Sequence, residues 1–503
     1  MYAKVIVEIG VKNVDREFIY IVPDRFRDII KIGSRVKVSF GKMIIEGFVL
    51  DLFDNYKEDY ELKEIIEVID LEPILNKEML ELGKKIQEYT LCSLISAYQV
   101  MLPKALKASV KTNINTKQNR YLVLNKSENV IRDYLDACKY DKQKELLNEL
   151  LINKKILVTS LNSTINTLLK KELVKFIYEE DYRYKFDKIS CDKKVILNEE
   201  QKYAVEKVVS NLDKSITYLL YGVTGSGKTE VYMNIISKVI DKNKKAIMLV
   251  PEISLTPQIV SRFVNRFGSQ VAILHSGLSD TERYDEYRKI KEGKVSIVVG
   301  ARSAIFAPFS DIGVIIIDEE HTATYKQENH PRYHARDIAI LRSKYHNCPV
   351  ILGSATPSLE SFARALNKNY ELLTLKKRAN NMVLPKVNVV DMKDEVKKGN
   401  FTFSELLVDK INEKISKGEQ VILLLNRRGY SSMIRCSNCG EVEKCPRCDI
   451  SLTYHKSSDS LRCHYCNYTK KAPSECVKCG SKDIKGIGLG TEKLEQEIID
   501  KFK

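Results

Sequence analysis

The chain contains no tryptophan, no apolar run near the roughly 20 residues of a membrane-spanning helix, and no charged-then-apolar opening. From the second and third absences neither a helical membrane span nor a secretory leader is expected; a cytoplasmic location and no membrane partner are. In a reducing compartment, clustered cysteines are metal ligands rather than disulfides. The missing tryptophan accompanies abundant Lys, Ile, Asn and Tyr, a bias that an AT-rich genome produces unaided. The formal charge of +15 suits a polyanion such as nucleic acid. Given that bias, the charge supports other observations and decides nothing. At 503 residues, three or four domains are expected.

What is present begins with "ITYLLYGVTGSGKT" (216–229). A short apolar run leads into G-x-x-x-x-G-K-[ST], with Gly222, Gly227, Lys228 and Thr229 in place and Val223, Thr224, Gly225 and Ser226 between them. Glycines let backbone N–H groups turn toward phosphate oxygens, and the helix that follows adds its positive end. Lys228 is expected at the β- and γ-phosphates and Thr229 on Mg²⁺ accompanying ATP. The apolar run "VIIID" before "EEH" reads as a buried parallel strand ending in Asp318 and Glu319. Asp318 then binds Mg²⁺, and Glu319 serves as general base toward water. The runs "AIMLV", "VAILH", "SIVVG" and "VILGS" alternate with charged helical segments. That pattern predicts one doubly wound α/β lobe over 195–375.

Eight of the twelve cysteines fall between Cys436 and Cys479, in four C-x₂-C pairs. Each pair supplies two thiolates at zinc-knuckle spacing, so two Cys₄ zinc sites are expected. No C-x₂-C-x₂-C run is present, which disfavours an iron–sulfur cluster. The middle pairs are separated by fourteen residues, near zinc-ribbon spacing, whereas joining the first two pairs leaves a tight five-residue loop. The predicted sites are therefore nested: Cys445, Cys448, Cys463 and Cys466 inside Cys436, Cys439, Cys476 and Cys479. So little chain between knuckles builds no core, and metal must supply most of the folding energy. His455 and His464 are read as bystanders.

Taken with their order, "LNEEQKYAVE", "VPEISLTPQ", "LHSGLSDTER", "VGARSAIFAP", "DEEH" and "GSATPS" resemble the motifs of a superfamily 2 helicase. "HTATYKQENHPRYHARDIA" after DEEH, and "NRRGYSSMIRC" running into the cysteines, narrow the resemblance to the PriA family of primosomal replication-restart helicases. The resemblance implies a multidomain α/β fold with a RecA-like first lobe (191–375). A small β-barrel-like domain (1–105) binds a DNA 3′ end, a linker and winged helix cover 106–190, and a second lobe begins at 376 with a zinc insertion at 434–482. It implies adenine reading by Gln201 and agrees with the nested cysteines. It also implies 3′-to-5′ unwinding fuelled by ATP, and branched and single-stranded DNA, primosome proteins and single-stranded DNA-binding protein as partners. Phe18, Tyr20, Gly41 and Lys63 are implied at the 3′ end. Tyr325, Tyr333 and His334 are expected to stack on bases while Arg332 and Arg336 meet phosphates.

Two features depart from the family. It commonly has Phe-Asp-Tyr where this chain has Phe18-Ile19-Tyr20, which removes a carboxylate from the 3′-end site. The family pattern also continues past "GIGLGTEKLEQEIIDKFK" with further strands and arginines that complete the ATP site, for which Arg427 and Arg428 do not substitute. Two readings follow: part of a full helicase, or a weakly hydrolysing DNA-binding scaffold of the primosome. A transcription-coupled translocase is disfavoured because it leaves the cysteine pairs after NRRGY unexplained. For 110–190 a small structural helical domain stands beside the winged helix.

Overall fold

Apolar residues alternate in "YAKVIV", so strand β1 (Tyr2–Val7) turns Ala3, Val5 and Val7 to one side and Ile6 to the other. It joins β2 (Phe18–Ile21), β3 (Arg35–Phe40), β4 (Met43–Phe53) and β5 (Ile65–Val68) in an antiparallel sheet of order β2-β1-β4-β3-β5. The two outer strands meet through an Ile21–Glu64 bridge, with Ile21 N–H donating to the Lys63 carbonyl at 2.9 Å. The sheet thus curls into the expected small barrel, filled by Ala3, Val5, Val36, Val38 and Ile65. The computed structural model describes every residue except 10–14, 57–61, 71, 109–117, 159–161, 181–194, 252–256, 380–384, 401, 425–432, 437, 456–457, 464, 488–490 and 503.

Ile6 and Phe48, on the barrel's outer face, belong to a second apolar cluster. It runs through helices α1 (Lys77–Thr90) and α2 (Leu94–Val100) to one face of the large parallel sheet. Asn76 caps α1 by accepting the Met79 N–H, and Met79, Leu82 and Ile86 form its buried stripe. Glu78 on the same helix pairs with Arg342, Oε1 to Nε at 2.6 Å, and both side chains are buried. Buried charge with both partners in place locks the barrel domain onto the lobe.

Next, β6 (Gln118–Leu124), α3 (Glu128–Ala137), α4 (Asp141–Asn153), β7 (Lys155–Leu157), α5 (Ser163–Lys170) and β8 (Val174–Glu180) form a module with sheet order β7-β6-β8. Sequence reading anticipated α4 and α5 but not α3, and placed Gln118 and Asn119, the first two residues of β6, at the end of a polar linker. Tyr121 and Leu122 instead pair with both neighbouring strands, which makes β6 the middle of the sheet.

Helix α6 (Glu199–Val209) opens the lobe. Strands β9 (Thr217–Gly222), β10 (Lys245–Leu249), β11 (Val271–Leu274), β12 (Ile297–Gly300), β13 (Ile312–Ile317), β14 (Val350–Ser354) and β15 (Glu371–Leu375) form its sheet, in order β11-β12-β10-β13-β14-β9-β15. All its pairings are parallel. Helices α7 (Lys228–Asp241), α8 (Pro257–Phe267), α9 (Asp280–Lys291), α10 (Ala335–His346) and α11 (Leu359–Leu366) make the crossovers. All six residues of β13 are buried, as its unbroken apolar run requires.

Contacts divide the chain into two compact units, Met1–Val383 and Leu384–Lys503. The second contains α12 (Met392–Lys397), α13 (Glu405–Ser416), β16 (Met433–Cys436), β17 (Thr453–His455), β18 (Ser460–Arg462), β19 (Thr469–Lys471), β20 (Ile484–Ile487) and α14 (Thr491–Lys501). β16 pairs with β20, bringing the two ends of the cysteine region together. The stretch "QVILLLNRRGY" (420–430), within the implied second lobe, lies from residue 425 onward outside the described residues. Its described start, 420–424, takes no regular form, and Ile422 and Leu424 are exposed. Among the described residues no strand pairs with it.

Candidate functional site

The phosphate loop leaves β9 at Gly222 and enters α7 at Lys228. Gly227 sits at φ +80°, and a side chain there would strike the Gln201 amide at 2.4 Å. The N–H groups of Thr224, Gly225 and Gly227 have no acceptor among the described residues, so the loop presents unpaired donors where phosphates are expected. Lys228 Nζ donates to the Gly222 carbonyl at 3.0 Å, folded back across the same loop. Gln201, expected to read adenine, is buried with both ends of its amide occupied. Its Oε1 accepts the Asn198 N–H at 2.9 Å, closing a capping box on α6, and its Nε2 donates to the Ser226 carbonyl at 2.8 Å. In this state Gln201 ties the helix to the phosphate loop.

Asp318 follows β13 beside this loop. Burial first, and then the neighbouring Glu319 charge, push its carboxyl up to about 6. Tyr232, one helical turn beyond Lys228, donates its hydroxyl to Asp318 Oδ1 at 2.9 Å. The same hydroxyl lies where a Cβ on Gly353 would be, 1.6 Å away, so only glycine fits in "GSATPS" at that point. Glu319 adopts φ +45°, a left-handed backbone at the position expected to act as base. His321 Nδ1 lies 3.6 Å from Glu319 Oε2 and 2.8 Å from Ser354 Oγ. Glu320, which sequence reading passed over, is buried. Its Oε1 accepts the Ser358 N–H at 2.7 Å, and its Oε2 accepts the Ser361 hydroxyl at 2.8 Å. Three motifs far apart in sequence are thus joined through carboxylates and hydroxyls.

The aromatic and basic loop departs from expectation. Tyr325 and Tyr333, expected to stack on bases, are only 1% and 3% exposed. The loop folds back as a hairpin, with Gln327 N–H donating to the Tyr333 carbonyl at 2.9 Å and a Lys326–His334 bridge, and this turns both rings inward. Tyr325 Oη donates to the Asp318 carbonyl at 2.7 Å. Tyr333 meets Phe306 edge-on, with ring centres 5.0 Å apart. Arg336 is also turned inward, donating to Ser361 Oγ at 3.1 Å, and half-buried His334 caps α10 by accepting the Arg336 N–H at 3.2 Å. Arg332 is the exposed member of the five.

The implied 3′-end residues, separated by forty-odd positions, do converge. Phe18, Tyr20, Gly41 and Lys63 line one cleft of about 590 Å³ with Arg16 and Phe40. Phe18 meets Phe40 edge-on at 5.1 Å, and the Arg16 guanidinium stands 5.2 Å from the Phe18 ring centre. Lys63 Nζ donates to the Gly41 carbonyl at 3.0 Å. Tyr20 is part of the barrel core, 4% exposed, so of the two implied aromatics Phe18 is the one a ligand can reach, beside half-buried Phe40 and Tyr56.

The eight cysteines form two groups, Cys436, Cys439, Cys476, Cys479 and Cys445, Cys448, Cys463, Cys466, with all sulfurs of a group within 4.8 Å. Sulfur separations are 3.6 Å for Cys436–Cys479, 3.5 Å for Cys439–Cys476 and 3.6 Å for Cys445–Cys466. Tetrahedral zinc with bonds near 2.3 Å asks for about 3.8 Å, so the groups fit the ion. Each pair is built the same way. The first cysteine's N–H bonds the carbonyl five residues on, and its carbonyl accepts the N–H four residues on. That fourth residue is left-handed each time: Gly440, Asp449, Asn467 and Gly480, with φ from +51° to +76°. These are the residue types that tolerate it best. His455 lies in β17 and in neither sulfur group; His464 lies outside the described residues.

A phosphate loop, an acidic strand end and a serine-threonine coupling loop on one parallel sheet define a superfamily 2 helicase lobe. Consistent with this, residues 198–365 match the DEAD/DEAH box helicase family. Residues 4–103 match the PriA 3′ DNA-binding domain, and 445–471 match the Cys-rich region of PriA DNA helicase. The replication restart protein PriA of Bacillus subtilis is 42% identical over 99% of this chain and 71% of its own length. That of Chlamydia trachomatis is 36% identical over the whole chain and 69% of its own length. Among solved structures, RecG bound to a three-way DNA junction aligns with 44% of this chain and 28% of its own, at 19% identity and a TM-score of 0.30. The chain belongs to the PriA family of replication restart proteins.

Proposed function

We propose that the chain works as an ATP-dependent, 3′-to-5′ DNA helicase that recognises stalled or branched forks and starts primosome assembly. The lobe (191–375) binds ATP with Mg²⁺. Lys228 and the loop's free N–H groups hold the phosphates, Thr229 and Asp318 hold the metal, and Glu319 takes the proton of the attacking water. The barrel domain (1–105) takes a DNA 3′ end at Phe18 and Lys63, the module at 106–190 acts as a winged helix, and the segment from 376 carries the zinc insertion. Primosome proteins and single-stranded DNA-binding protein are the proposed partners, in the cytoplasm. In support of a soluble setting, no described helix is long and apolar enough to cross a membrane.

One observation carries the coupling of DNA to ATP. Arg302 Nη1 donates to the carbonyls of Thr324 and Lys326 at 3.0 and 2.9 Å, and Tyr325 between them bonds the Asp318 main chain. A shift of the Arg302 loop therefore reaches the metal site through one residue. The test is ATP hydrolysis with and without forked DNA. Stimulation by the fork, lost in Lys228→Ala, is expected; hydrolysis indifferent to DNA contradicts the reading.

A further inference from the structure

Beyond β15 the chain does not leave the lobe at once. Residues 376–379, which sequence reading assigned to the start of a second lobe, lie within the compact unit Met1–Val383 and run beside the phosphate loop. Several contacts hold them there. Val223 N–H donates to the Leu375 carbonyl at 3.2 Å, and Ala379 N–H donates to the Gly225 carbonyl at 2.9 Å. The Glu200 carboxylate on α6 accepts the N–H groups of Lys376 and Lys377 at 2.8 and 3.2 Å. Ala379 Cβ and the Gln201 amide stand 3.6 and 2.4 Å from the place a side chain on Gly227 would take. The segment is thus a second wall to the loop, on the side of Gln201.

Arg378, between these anchors, is half-buried. Its Nε is buried without an acceptor, and no carboxylate pairs with it among the described residues. A buried N–H donor is costly until an acceptor reaches it, and the fixed charge of a guanidinium selects an anionic one. The main chain beside it has the same need, since Thr224, Gly225 and Gly227 present N–H groups without acceptors among the described residues. Sheet order decides which part of a triphosphate this segment faces. The strands run β13-β14-β9-β15, so Asp318 after β13 and Arg378 after β15 flank the phosphate loop from opposite sides. Three strand spacings, roughly 14 Å, separate those two strand ends. With Thr229 and Asp318 assigned to the metal at the β- and γ-phosphates, the α-phosphate falls to the Arg378 side.

We infer that Arg378 is a nucleotide-binding residue of this lobe, its guanidinium donating to the α-phosphate of bound ATP. The inference rests on the helicase reading and adds a residue to its ATP site. Arg378 belongs to neither the phosphate-loop motif nor the acidic strand end, and it arrives from the segment that leads out of the lobe. Substrate and product share the α-phosphate, so this contact retains nucleotide before and after hydrolysis instead of stabilising the hydrolytic step alone.

The test uses the full chain and calorimetric titration with ADP, a non-hydrolysable ATP analogue and the two stereoisomers of ADPαS. In each stereoisomer sulfur, a poor hydrogen-bond acceptor, replaces one non-bridging oxygen of the α-phosphate, and the pair is compared in chelator so that no metal preference enters. The unaltered chain is expected to bind one isomer more tightly than the other. In Arg378→Gln, affinity for ADP and for the ATP analogue should fall by the same factor, about tenfold, and the isomer preference should shrink toward one. Arg378→Lys, which keeps the charge but not the Nε donor, should lie between. The ratio is read on folded protein, so a variant of lower melting point still reports it. An unchanged isomer ratio in Arg378→Gln, even with weaker binding, places the residue at the nucleoside or in loop structure and overturns the inference. So does equal binding of the two isomers by the unaltered chain, or a loss confined to the ATP analogue. No nucleotide binding by the unaltered chain overturns the helicase reading itself.

Discussion

Asp318 shows how single atoms set this site. Its side chain is tied to Tyr232 and its main chain to Tyr325, so one carboxylate oxygen is left for a metal. Tyr232→Phe keeps the ring that Gly353 accommodates but removes a donor to a charged acceptor, a loss of roughly 1.5–3 kcal/mol. The magnesium needed for half-maximal nucleotide binding should rise about tenfold, while binding in chelator should be unchanged; titration of a fluorescent analogue with Mg²⁺ measures both. The same carboxyl gives a pH dependence of definite sign. Because it is raised to about 6, it holds a proton below that value and Mg²⁺ must displace it. Magnesium-dependent nucleotide affinity should therefore be constant above about pH 7 and weaken as pH falls through about 6. Lys228 and Asp318 were readable from the sequence because their motifs carry fixed spacing. Tyr232 was not, although its place one turn after Lys228 on the same helix put it within reach of the strand end.

Among elements, α1 and the zinc knuckles make the sharpest claims. Glu78 on α1 faces burial, which alone raises a carboxyl, but Arg342 and His346 outweigh it and bring it down to about 2. A lowered carboxylate contributes stability that is whole above its ordinary value near 4.5 and lost as pH falls toward 2. Urea unfolding between pH 5 and pH 2.5 should show that loss, and Glu78→Gln should flatten it. Arg342→Ala strands the buried charge and should cost about 3–5 kcal/mol. In the knuckles, the left-handed residue after each second cysteine does the shaping. Gly440→Val should weaken zinc retention against a chelator, at about 1–2 kcal/mol of backbone strain, whereas Asp449→Gly should not. Removing zinc should unfold the cysteine region while leaving nucleotide binding in Met1–Val383 unaffected. The nested pairing was readable because loop lengths allowed little else. The inward turn of Tyr325 and Tyr333 was not, since a short loop mixing aromatic and basic residues has no periodicity to show which side faces the sheet.

For the molecule as a whole, the parallel sheet was legible because buried strands read as unbroken apolar runs, and the barrel because its strands alternate. The docking of barrel to lobe depends on Glu78 and Arg342, 264 positions apart, and no local pattern records it. Ile19, where the resemblance implies an acidic residue, belongs to this scale too, because it lines the cleft proposed for a DNA 3′ end. Ile19→Asp should sharpen preference for a fork with a free 3′ hydroxyl over one with a blocked end, measured by competition binding. An unchanged preference would remove that residue from end recognition. The most direct test of ATP and DNA sites acting as one is the affinity of a non-hydrolysable ATP analogue, measured alone and with saturating forked DNA. The expected result is tighter analogue binding with the fork, matched by an equal tightening of fork binding with the analogue, and both absent in Lys228→Ala. Analogue affinity that is the same with and without the fork contradicts it.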